Sequence, residues 1–165
     1  MRILHSCATD LATTAYRQLI MKIGIVGFSS SHFDQKTARV LLEKKLKEII
    51  SDIDIKTIEI VSGYTNIGIP KIAYELSDNM GLKTIGFSAK KALTASCGLY
   101  SVDKAIIYGK DFGDESQAFV NYIDILIRIG GGKQSRKEVE LFKEKNKDQD
   151  ISKLLFEEEI EWYGK

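Results

Sequence analysis

Five short apolar runs rich in β-branched side chains, at residues 22–27, 57–62, 83–88, 104–108 and 124–129, constrain this chain most. Each ends in a cluster of Gly, Ser, Asn or Asp, and most are followed by apolar residues at helical spacing. After Asp34, residues Val40, Leu41, Leu42, Leu46, Ile49 and Ile50 recur near a helical period. Ile72, Ala73, Leu76 and Met80 do the same up to Gly81, a glycine placed to end a helix. Val139 and Phe142 continue the pattern after Ser135, and Phe119, Val120 and Ile123 indicate a shorter helix. Continuous apolar strands alternating with amphipathic helices predict an α/β fold, doubly wound, whose mainly parallel sheet carries helices on both faces. Ligands of such sheets sit at the carboxyl ends of the strands, near a switch in strand order. That selects the loops 28–34, 63–70, 89–100, 109–116 and 130–135.

The length of 165 residues suits one domain, expected over residues 21–165, with residues 1–20 as an extension of undefined structure. Met21 directly precedes the first strand and is a second candidate start. Residues 1–20 lack the basic flank, apolar centre and small-residue cleavage site of a signal peptide. No apolar run has the length of a membrane span. Cys7 and Cys97 form no C-x-x-C pair, so two reduced thiols and a cytoplasmic location are expected. With 24 basic and 23 acidic side chains the net charge is +1, whereas duplex-binding domains usually carry a clear basic excess. A nucleic-acid partner is therefore not expected. Residues 143–153 are highly charged and read as solvated. For residues 154–165 strand and helix both remain open, but Ile151, Leu155, Phe156, Ile160 and Trp162 predict that this tail packs back on the domain.

Gly130-Gly131-Gly132 lies between a strand and a helix, where glycine permits positive φ and close approach of backbone to ligand. Free N–H groups at the start of that helix favour an anion. A P-loop would need Gly at Ile127 and Ser or Thr at Gln134, so that motif is excluded. Ser135-x-x-Glu138 has the spacing of a capping box, the reading its pattern favours, while Glu138 one turn into the helix is also placed to grip ribose hydroxyls. Ser29-Ser30-Ser31 after Gly27 offers hydroxyl donors or an N-terminal turn. The run from Ser62 to Pro70 combines Gly63, Asn66 and Gly68 with hydroxyls; its Tyr64 is either a base-stacking ring or a half-buried loop aromatic. Asp111, Asp114 and Glu115 form an acidic loop that reads as solvated rather than as a holder of a metal ion or of ribose hydroxyls. His5 and His32 are too few for zinc. Neither a metal nor a further cofactor is expected.

Taken together these loops resemble the SLOG superfamily, which joins the Lonely Guy (LOG) phosphoribohydrolases, once called lysine decarboxylase-like proteins, with DprA-like proteins. LOG proteins carry P-G-G-x-G-T-x-x-E after a strand, and residues 130–138 here read Gly-Gly-Gly-Lys-Gln-Ser-Arg-Lys-Glu. Gly131, Gly132 and Glu138 match, Ser135 replaces threonine, Gly130 replaces proline and Gln134 replaces the third glycine. Gly27-Phe28-Ser29-Ser30 is similar to the first glycine loop of the superfamily, and Ser62-Gly63 with Gly68-Ile69 to the second. The resemblance spans residues 21–142 and implies a Rossmann-like fold, a nucleotide or nucleotide-derived ligand and a homodimer.

One departure bears on chemistry. LOG enzymes place an Arg-Lys pair before the P-G-G strand, and a gapless count puts that pair on Glu115 and Ser116. Replacing arginine by glutamate inverts the charge. The resemblance thus implies nucleotide binding through Gly27, Ser29, Ser30, Gly63, Asn66, Gly68, Gly130, Gly131, Gly132, Gln134 and Ser135, with Glu138 at the ribose. The alternative is a LOG-like phosphoribohydrolase or N-glycosidase in which Glu138 is catalytic and Lys90, Lys91 or Lys133 supplies the cation.

Overall fold

The computed structural model describes residues 19–164, so His5, Cys7 and most of the extension at 1–20 lie outside the described residues. In chain order the elements are β1 (Met21–Gly27), α1 (Gln35–Ile50), β2 (Ile58–Ser62), α2 (Gly68–Met80), β3 (Lys83–Ser88), β4 (Lys104–Ile107), α3 (Ser116–Tyr122), β5 (Ile125–Ile129), α4 (Lys133–Lys145) and β6 (Leu155–Glu158). The strands form one sheet in the order β4-β3-β2-β1-β5-β6, and every pairing is parallel. This is the doubly wound α/β fold that the alternating pattern predicts. The tail left open in sequence becomes β6, paired with β5 through Leu126↔Leu155 and Ile127↔Phe156.

The two faces of the sheet are covered by different helices. Ile23 and Ile25 of β1, Ile58 and Ile60 of β2, and Ile125, Ile127 and Ile129 of β5 meet α1 and α2. Val26, Val61, Ile85, Phe87 and Leu126 project from the other face onto α3 and α4. The period-two alternation of strand side chains thus divides one apolar run between two cores. On α1 the buried row is Ala38, Leu42 and Leu46 at four-residue steps, and Asp34 caps the helix by accepting from the Thr37 N–H at 3.0 Å. Val40 lies two residues from both Ala38 and Leu42, which is about 200° around a helix, and it is exposed. The apolar stretch is therefore broader than the face it buries. Gly81 ends α2 in the left-handed conformation at φ 70°, and Leu82 N–H donates to Ser77 O at 2.9 Å.

Candidate functional site

The chain leaves β1 toward β2, β3 and β4 on one side and returns to β5 on the other, so the switch in strand order falls between β1 and β5. Gly27 ends β1, and Gly130-Gly131-Gly132 follows β5. Gly130 and Gly131 have φ 57° and 102°, a region costly for any side chain, and a Cβ would drive Gly130 into the Phe28 ring and Gly131 into Ser135 Oγ. Gly132 occupies the N-cap position of α4 with open space where a Cβ would stand, and no side chain caps the helix. The first-turn N–H groups of α4 thus open at the sheet edge, an arrangement suited to an anion. Buried Arg128 on β5 fixes the turn from below, its Nη1 donating to Gly130 O at 2.7 Å. Its Nε and Nη2 reach Glu157 and Glu159 at 2.9 and 2.6 Å, and Glu159 also accepts from Arg136 on α4.

A cleft of about 420 Å³ lies at this point, within the size range of small-molecule sites. Gly27, Ser29, Gly63, Gly132, Gln134, Ser135 and Glu138 line it. The other residues expected at a ligand, Ser30, Asn66, Gly68, Gly130 and Gly131, do not line it. Ser30 is half-buried in the first loop, and Asn66 is exposed with its N–H on Gly98 O at 3.0 Å. Gly68, at φ 67°, lets α2 begin against Phe28, whose carbonyl accepts from Ile69 N–H at 2.8 Å. Gly130 and Gly131 form the buried turn beneath the cleft. Of the candidate cations Lys133 lines the cleft, and Lys90 and Lys91 do not.

The capping-box reading of Ser135-x-x-Glu138 is corrected. Both residues lie inside α4, which begins two residues before Ser135, and Ser135 Oγ donates to Gly132 O at 3.0 Å. Glu138 instead points toward α3 and accepts from Ser116 Oγ at 2.9 Å and Gln134 Nε2 at 3.1 Å. The same Gln134 amide donates to Glu115 Oε1 at 2.8 Å. Of Glu115 and Ser116, the pair placed by counting back from Gly131, Ser116 thus contacts Glu138 directly and Glu115 is joined to it through Gln134. Both glutamates are 5% exposed. Burial pushes the Glu138 carboxyl up to about 7, against the hydrogen bonds from Gln134 and Ser116 that favour its ionised form, and the Glu115 charge adds to the rise.

Sequence reasoning selected the loops but missed several lining side chains, Ser88 at the end of β3, Cys97, Phe87, Phe112 and Phe119, and its solvated reading of Glu115 is corrected, since that residue is buried and lines the cleft. Ser88 Oγ accepts from Tyr64 N–H at 2.8 Å, and the Tyr64 ring packs over Gly86 rather than lining the cleft. Asp111 is exposed, while Asp114 accepts from the N–H groups of Lys110 and Asp111, both at 2.9 Å. His32 is tied through its backbone, its carbonyl accepting from Tyr163 N–H at 2.7 Å. Among the described residues no group of three or more His, Cys, Asp or Glu is placed to hold a metal ion. Nor, among them, is any helix long and apolar enough to cross a membrane.

No protein-family model matches the sequence, and no curated protein matches it. Solved structures match it in fold. The molybdenum cofactor carrier protein of Chlamydomonas reinhardtii superposes with a TM-score of 0.59 at 16% identity, over 84% of this chain and 89% of that one. The molybdenum cofactor binding protein of the phototrophic bacterium Rippkaea orientalis gives 0.57 at 19% identity, over 88% and 92%. The protein designated TM1055 gives 0.57 at 18%, over 77% of this chain and 71% of that one. What these likenesses establish is a shared doubly wound, Rossmann-like α/β architecture.

Proposed function

We propose that this chain is a divergent, cytoplasmic member of the SLOG superfamily that binds a nucleotide or nucleotide-derived cofactor in the cleft between β1 and β5. The observation that carries the reading is the N-terminus of α4, free of any side-chain cap, opening with Gly132 into a cleft of about 420 Å³ at the strand-order switch. The phosphate sits on the first-turn amides beside Ser29 and Gly63, and the remainder of the ligand extends toward Glu115 and Glu138. Two solved neighbours are named for the molybdenum cofactor, so that cofactor belongs with AMP, ADP-ribose and cyclic nucleotides in a calorimetric panel. Binding is expected for at least one of them and should weaken in Gly132→Val, whose added side chain enters the cleft without a backbone clash. Absence of binding by the whole panel overturns the reading. A homodimer belongs to the same proposal, supported by the edge of β4, unpaired among the described residues, with Ile107 and Tyr108 exposed; light scattering checks it.

A second reading is favoured by one observation, a buried carboxyl raised to about 7 beside a cleft. Glu138 would then act as general acid on an N-glycosidic bond with Lys133 as the nearby cation. Release of free base from nucleoside monophosphates, abolished in Glu138→Gln, supports it; no release after long incubation at high enzyme concentration excludes it.

A further inference from the structure

The segment between β4 and α3 brings two unlike side chains to the cleft three residues apart, Phe112 and Glu115. Hydrogen bonds hold this segment in one shape. Lys90 and Lys91 N–H donate to Gly109 and Lys110 carbonyls, both at 3.0 Å, and Asp114 ties down the next two amides. Gly109 and Gly113 supply φ 77° and 101°, and Gly113 N–H donates to Glu115 Oε2 at 2.9 Å. The loop is thus prearranged, yet the Phe112 ring it carries is 48% exposed while lining the cleft. Lys91 Nζ stands over one face of this ring, 5.9 Å from its centroid, and the ring, outside any core cluster, has its other face to offer a planar ligand.

Glu115 is the complement. Each of its oxygens accepts one protein donor, Gln134 Nε2 on Oε1 and Gly113 N–H on Oε2. A carboxylate has about four acceptor positions, so each oxygen keeps one for a ligand. The neighbouring donors are already committed, since Gln134 donates to both glutamates and Ser116 donates to Glu138. Glu115 therefore presents acceptors to a ligand at this end of the cleft. A ligand that lies on Phe112 and reaches Glu115 must turn N–H donors toward it, and two adjacent donors satisfy both oxygens at once.

We infer that Phe112 and Glu115 form a ring-recognition subsite that selects a planar heterocycle with paired N–H donors on one edge, the arrangement of guanine, over adenine. The inference rests on the cleft being a nucleotide site. Guanine offers N1–H and the 2-amino group together, hypoxanthine keeps only N1–H, and adenine sets the N1 lone pair against the carboxylate.

Calorimetry on the full chain with GMP, IMP, AMP and ribose 5-phosphate tests this order. GMP is expected to bind roughly tenfold or more tighter than AMP, with IMP between them. Glu115→Gln, which turns one acceptor into a donor, should remove the GMP advantage, weakening GMP and strengthening AMP, whose N1 lone pair then meets an N–H. Phe112→Ala should weaken all three nucleotides and spare ribose 5-phosphate. Equal affinity for GMP and AMP, or tighter AMP, overturns the inference while leaving nucleotide binding intact. Failure of all four to bind overturns this inference, and the separate panel with ADP-ribose, cyclic nucleotides and the molybdenum cofactor decides whether the nucleotide reading falls with it. The wild-type ranking decides the matter even if a variant does not fold.

Discussion

Replacing Glu138 by Gln should make the protein more stable at neutral pH and flatten its stability between about pH 4.5 and 7. The carboxyl moves from an ordinary value of 4.5 to about 7 in the folded chain, chiefly through burial. Within that window the native state holds a proton that the unfolded chain has released, so stability falls as pH rises through it. Below the window both states are protonated, and above it both are ionised. A rise of roughly 2.5 units at 1.36 kcal/mol each gives a loss of about 3 kcal/mol by pH 7.5. Glutamine keeps the acceptor that Ser116 and Gln134 use and has no proton to lose. Urea unfolding of both proteins at half-unit steps from pH 5 to 8 measures the difference. Glu159, Asp34 and Asp114 are shifted downward and contribute in the opposite sense at lower pH, but they are common to both proteins and cancel. The variant should gain progressively up to about 3 kcal/mol near pH 8. A difference that stays constant across the range would refute the burial argument.

Three further outcomes are expected. Gly131→Ala should cost about 1–3 kcal/mol, because φ 102° strains any side chain, whereas Gly132→Ala one residue later should change stability by only a few tenths; paired thermal melts check the contrast. Arg128→Met leaves Gly130 O without its guanidinium donor, and loses the ion pairs to Glu157 and Glu159, which can return to water. The expected loss is about 1–3 kcal/mol by urea unfolding, with weaker ligand binding as the turn loosens. Asp34→Ala removes the cap on Thr37 and should lower the urea midpoint in the same assay.

Much of the fold was legible because its signals are local. A buried parallel strand must be apolar on both faces, and four of the five runs advertise this directly, down to the identical limits of β3 at Lys83–Ser88, while the fifth became the mostly exposed edge strand β4. β6 carried no such signal. As an edge strand it buries neither face fully, and its residues 155–158 run from half-buried Leu155 and Phe156 to exposed Glu157 and Glu158. What fixes it lies elsewhere, in Arg128 reaching Glu157 and in Gly130 N–H donating to Glu158 O at 2.7 Å. Val40 illustrates the opposite failure: its apolar character belongs to the helical pattern, but three-dimensional packing leaves it in water.

The site was legible by position and not by role. Strand ends located the loops, because the chemistry of an open sheet edge depends on topology that the element order already contains. Which side chain faces the cleft depends on a rotation the sequence does not print. Ser135 and Glu138 show the consequence. Their spacing satisfies a capping box, yet the helix starts earlier because Gly132, with no side chain to interfere, takes the N-cap position. That shift of one turn moves Glu138 from the helix end to the wall facing α3, where it meets Ser116 and, through Gln134, Glu115. Glu115 is therefore part of the cleft wall, and Ser116 is bonded to Glu138 beside it. The arrangement puts two buried carboxyl groups on one amide and makes that wall an acceptor surface, so a ligand seated there has to bring its own hydrogen-bond donors.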